Sequence, residues 1–71
     1  MKYLVIVEQG PTSFGAYVPD LLGCVAAAPS RDEVLELIHE AIGIHIEDLR
    51  ERGEEVPLSV STGEIVDVSA A

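Results

Sequence analysis

The stretch Phe14 to Val25, FGAYVPDLLGCV, decides how this chain folds. Phe14 to Val18 reads as a β-strand, with Phe14, Ala16 and Val18 on one face and Gly15 and Tyr17 on the other. Pro19 has no N–H to give and ends the ladder there. Gly23 permits a backbone angle that side chains resist, after which Cys24 to Ala28 resumes as a second strand. A strand, a rigid corner and another strand are compressed into one short segment. Asp20, inside the corner, is the only acidic group between Glu8 and Asp32.

Upstream, Tyr3 to Val7 (YLVIV) is rich in β-branched residues and bounded by Gly10-Pro11, which predicts a strand. Tyr3, Val5 and Val7 share one face, Leu4 and Ile6 the other, and both faces are apolar. The turn signal Gln9 to Ser13 joins this strand to the next as an antiparallel hairpin. Downstream, Ser30 with Glu33 three residues on is a capping box, and Asp32 and Glu33 suit the positive end of a helix dipole. The helix is expected to reach Arg52 and stop at Gly53. Steps of about 100° gather Val34, Leu35, Ile38, Ala41, Ile42, His45, Ile46 and Leu49 on one face. Glu33, Glu36, Glu40, Glu47 and Glu51 gather on the opposite face. Glu54 to Ser61 is a loop, and Glu64 to Val68 (EIVDV) predicts a closing strand. The expected architecture is α+β in the order β-β-β-α-β. A small antiparallel sheet carries one helix on one face, in a single domain covering residues 1–71.

A chain of 71 residues buries a modest share of its surface, and its core barely offsets the entropy of ordering it. Disulfides cannot help, because Cys24 is the only cysteine. Cys24, His39 and His45 lack a structural metal spacing. Self-association is the remaining common route, and a hydrophobic content of 48% supports it. One sheet face, either the Leu4, Ile6 and Tyr17 side or the Tyr3 side, is left without a helix. Leu37 and Ile44 widen the apolar stripe on the helix flank. They are candidates for contact with another chain, or for packing under a loop. Leu4, Ile6, Leu37 and Ile44 are therefore the expected interface of a homodimer or higher oligomer.

The net charge of −9 disfavours direct binding to nucleic acid and favours a basic protein partner. Solubility alone also accounts for such a charge. The apolar run after Lys2 is too short for a secretory h-region, and no stretch approaches membrane-spanning length. With one unpaired cysteine, these features predict a cytoplasmic protein without membrane contact. No cofactor motif is present: GPTSFG at residues 10–15 lacks the lysine and following helix of a P-loop.

Asp20 reads either as a turn residue capping nearby backbone N–H groups or as a polar contact or metal carboxylate. Cys24 reads as a buried small hydrophobe, His45 as a core histidine and His39 as solvated. No third group orients a Cys24–His39 pair, so no catalytic or metal residue is assigned. Glu36 and Glu40 share a side of the helix, but an acidic helix face is ordinarily solvated.

Four segments resemble the HicB antitoxin family: YLVIVE at residues 3–8, AYVPDLLGC at 16–24, the helix and its exit from Ser30 to Pro57, and EIVDV at 64–68. The Pro-Asp-Leu-x-Gly-Cys run is the specific part. Leu22 stands where the family usually has proline. Val34 and Leu37 stand near positions where it favours alanine. The resemblance implies a truncated RNase H-like arrangement and a binding role without catalysis. The expected partner is a small basic mRNA-cleaving HicA-type toxin. By charge and position rather than by any motif, Glu36, Glu40 and Glu47 are then expected to mimic phosphates and Tyr17 with Asp20 to form an edge contact. Many members continue into a DNA-binding segment, so no autorepression by this chain alone is expected. The other readings are an orphan self-associating domain and a minimal Mg²⁺-dependent nuclease built on Asp20.

Overall fold

The computed structural model describes residues 1–69. Strands β1 (Ile6–Gln9), β2 (Phe14–Tyr17) and β3 (Val25–Ala28) precede one helix, α1 (Arg31–Glu51). The strands form an antiparallel sheet in the order β1-β2-β3, giving an α+β fold. The register aligns Val7 with Ala16 and Ala16 with Ala26. Because side chains alternate across a strand, this row and its neighbours face α1, and the row Ile6, Tyr17, Val25 faces away. The core joins Ala16, Val18, Leu21, Cys24 and Ala28 to Val34 and Ile38 of the helix. Small residues on β2 and β3 let α1 lie close, and the helix packs on β3 and β2 rather than over β1.

The corner between β2 and β3 is two turns in succession. The Leu21 N–H donates to the Val18 carbonyl at 3.1 Å, with Pro19 in the second position, where its fixed φ fits. The Cys24 N–H then donates to the Leu21 carbonyl at 3.1 Å, with Gly23 third at φ 81°, the backbone of a type II turn. The Val18 N–H closes the corner on the Cys24 carbonyl at 3.2 Å. Leu21, 1% exposed, plugs the core, while Leu22, 95% exposed, points to solvent.

Local sequence sets both ends of α1. Ser30 Oγ accepts the Glu33 N–H at 3.2 Å. At the far end Gly53, at φ 71°, lets its N–H reach the Arg50 carbonyl, and the Glu54 N–H reaches that of Leu49. Arg52 pairs with Asp48 and Glu54, locking the exit.

The closing strand expected at Glu64 to Val68 is not part of the sheet. Among the described residues the order is β-β-β-α, and the chain beyond Gly53 carries no helix or strand. The tail is tied at two places. The Tyr3 hydroxyl donates to the Pro57 carbonyl. Asp20 holds the backbone at Val60 and Ser61. It then passes Leu4 at Gly63 and leaves the body, with Ile65, Val66 and Val68 in solvent. Strand preference is realised only against an edge, and this segment meets none among the described residues. The radius of gyration of 14.3 Å reflects that departure. A compact domain of this length has one of about 11 Å.

Candidate partner-binding surfaces

The helix builds two surfaces from one periodicity. Val34, Ile38 and Ile46 are buried against the sheet. Half a turn away, Glu33, Glu36, Glu40, Glu47 and Glu51 are all exposed. Among the described residues the only salt bridges are those of Arg52 with Asp48 and Glu54, so Glu36, Glu40 and Glu47 keep their charges uncompensated. These three present an anionic ridge along the outer side of the helix layer.

Tyr17 lies elsewhere. It is exposed on the sheet face turned away from α1, beside Ile6 and Val25. The sheet thus stands between Tyr17 and the glutamates, and the structure does not gather them into one footprint. The open face is the Leu4 side of the two sets considered from sequence, since Tyr3, Val5 and Val7 pack toward the core. Leu37 and Ile44 are exposed on the β3 flank of the helix, with Ile44 lining a shallow hollow beside Gly23, Val25 and His45. Leu4 and Ile6 therefore belong to a different surface from Leu37 and Ile44.

Asp20 has a specific internal task. Its Oδ2 accepts the Val60 and Ser61 N–H groups, each at 2.9 Å, and its Oδ1 accepts the Ser61 hydroxyl at 2.8 Å. The Ser61 backbone and hydroxyl bonds, reinforced by that from Val60, hold the carboxyl below its ordinary value and outweigh its partial desolvation. The caps expected near Asp20 in the chain are instead some forty residues on. Together with Tyr3 and Pro57, this tether is what sequence reasoning missed. No local window contains both partners. The one available signal was an isolated acid in a corner, followed much later by a serine in an apolar segment.

Cys24 is a buried free thiol, and desolvation pushes its pKa up, opposite to what a nucleophile needs. His45 is half-buried and His39 exposed. Among the described residues, no group of three or more His, Cys, Asp or Glu is placed to hold a metal ion. No helix there is long and apolar enough to cross a membrane.

A sequence model of the "HicB_like antitoxin of bacterial toxin-antitoxin system" matches residues 3–70. The chain belongs to the HicB-like antitoxin family. A "UPF0150 protein" of Archaeoglobus fulgidus is 32% identical over 69 residues, covering 96% of this chain and 88% of that one. A UPF0150 protein of Helicobacter pylori is 39% identical over 44 residues, covering 62% of this chain and 61% of its own. An "Uncharacterized 14.9 kDa protein in rep-hol intergenic region" of Haemophilus phage HP1 is 36% identical over 59 residues. That match covers 83% of this chain, which spans only 44% of the phage protein. No solved structure matches the chain. The family match extends over the whole corner, the helix and the tail, so the segment that leaves the body is part of the family's domain.

Proposed function

We propose that this chain, acting as one cytoplasmic domain, neutralises a small basic mRNA-cleaving toxin of the HicA type by binding it, with no catalysis of its own and no direct contact with nucleic acid. The observation that carries the reading is the ridge of Glu36, Glu40 and Glu47, exposed and without cationic partners in a chain of net charge −9. Such a ridge suits a surface evolved to hold RNA phosphates, because both present negative charge at regular spacing to lysines and arginines. The family's description as an antitoxin supports a toxin partner in general. Tyr17 and Asp20 are left out of the contact: the first faces the other side of the sheet, and the second is engaged with the tail.

The test is RNA cleavage by a HicA-type toxin with and without this chain. Protection by the wild-type chain, lost or strongly weakened in a Glu36→Lys, Glu40→Lys, Glu47→Lys variant, is the expected result. Association should slow as salt is raised, since steering between opposite fields is screened. Absence of a complex with a HicA-type toxin at micromolar concentration overturns the proposal.

A self-associating role is favoured by a separate observation, the apolar face of Leu4, Ile6, Tyr17 and Val25 together with exposed Leu37 and Ile44. Through the sheet face of Leu4, Ile6, Tyr17 and Val25 it is compatible with toxin binding, because that face lies off the acidic ridge. The nuclease reading draws no support from Asp20, whose two carboxylate oxygens are already taken by the tail.

A further inference from the structure

Beside β1 the structure has an apolar trough with no strand in it, and beyond Gly63 it has a strand-like segment with no sheet. The trough, about 480 Å³, runs between α1 and the segment that leads into β1 and is lined by Tyr3, Val5, Leu35, Ile38, Ile42 and Ile46. It stays open because α1 packs on β3 and β2 rather than over β1. Among the described residues, the outer edge of β1 pairs with no strand. A further strand added to that edge at the usual spacing of about 4.8 Å would lie beside the trough.

The segment Glu64 to Val68 has the dimensions and pattern for that place. Fully extended it spans about 16 Å, enough to run the length of β1. Val66 and Val68 alternate with Ile65 and Asp67. With the valines turned into the trough, Ile65 would extend the opposite row of Leu4, Ile6, Tyr17 and Val25. Ile65, Val66 and Val68 are 102%, 70% and 76% exposed. Their approach is fixed by the Tyr3–Pro57 and Asp20–Ser61 tethers and then directed away from their own sheet.

We propose that Glu64 to Val68 of each copy adds as a fourth strand to the free edge of β1 in a second copy, so that two chains exchange tails. The occupant is this chain rather than an unrelated protein because one molecule carries both halves of the contact. Reciprocal exchange satisfies two open edges and covers two apolar tails by one symmetric operation. The expected closing strand is then formed between chains. The inference does not rest on toxin binding, whose acidic ridge lies on the far side of α1.

Light scattering on the full-length chain across a dilution series reads the mass. Twice the chain mass (or a higher even multiple) is expected, halving to the single chain in a Val66→Asp, Val68→Asp variant with unchanged helical circular dichroism. A single-chain mass at every concentration overturns the proposal, including the case in which the segment closes on its own β1. An unaltered mass in the double variant overturns it equally. Hydrogen exchange on the wild-type chain tests the same contact without any substitution. Slow exchange at the amides of residues 65–68, lost on dilution, is expected; rapid exchange at all concentrations overturns it. None of these readouts involves the toxin, so this inference and the function proposed above fail separately.

Discussion

The corner at residues 18–24 and the tail at residues 64–68 are both short, apolar and interrupted by one or two acids. In the corner, Val18, Leu21 and Cys24 are buried to 3%, 1% and 3% exposure. In the tail, Ile65, Val66 and Val68 stand in solvent. The difference is backbone closure. Pro19 and Gly23 fold the corner onto itself through turns whose hydrogen bonds lie within seven residues. The tail has no such turns and depends on an edge elsewhere. Asp20 belongs to both regions, since it sits in the corner and holds the tail.

The largest effect should come from truncating the buried side of this pair. Leu21→Ala leaves a cavity in a small core and should cost about 2–5 kcal/mol. Urea unfolding should show that loss at every protein concentration. Ile65→Ala removes a similar side chain, but its cost should appear only where copies associate and vanish on dilution. Equal losses at both sites, independent of concentration, would erase the contrast.

Next in size is Gly23→Ala. An alanine meets no atom at this position, but φ 81° is a conformation that L side chains resist. The penalty should be about 1–2 kcal/mol, read as a lowered Tm. Because the strain is backbone strain, a larger apolar side chain at residue 23 should not rescue it.

Asp20→Asn tests the link between the two regions. Exchange at the Val60 and Ser61 amides should rise, with a smaller change in global unfolding than at Leu21. The pH dependence follows from the lowered carboxyl pKa. A group whose folded pKa is depressed contributes fully above its unfolded value of about 3.9. That contribution is lost as pH falls through the lower folded value. Tail release on acidification should follow this course in the wild-type chain and be absent in the Asp20→Asn variant.

The smallest effect concerns Leu22, exposed and second in the type II turn, where proline is favoured. Leu22→Pro should stabilise by about 0.4–1 kcal/mol, by restricting the unfolded chain. A higher melting temperature without altered tail exchange would sharpen the view that the corner closes by its own chemistry.

Much of the fold was legible because its causes are local. Ser30, Glu33 and Gly53 mark α1 almost to the residue, and the spacing of Val34, Ile38 and Ile46 against Glu36, Glu40 and Glu47 sorts its faces. The acidic ridge was legible for the same reason. Less so was the division of the site residues. Tyr17 and Asp20 are close in sequence to each other but serve a sheet face and a tether, while the glutamates occupy a third location. Alternation in EIVDV announced a strand, yet said nothing of which edge would receive it.

By itself, then, the sequence determined the hairpin, the corner, the capped helix and the sign of its outer face. Each depends on dihedral preferences, side-chain period and charge carried within one short window. Only the tertiary structure decided that Asp20 and Tyr3 would grip the chain some forty and fifty-four residues later. It alone decided that α1 would pack on β3 and β2 and leave β1 uncovered, and that the last apolar segment would leave the body. Those outcomes depend on which surfaces remain unpaired after the core has packed, a quantity that no local window contains.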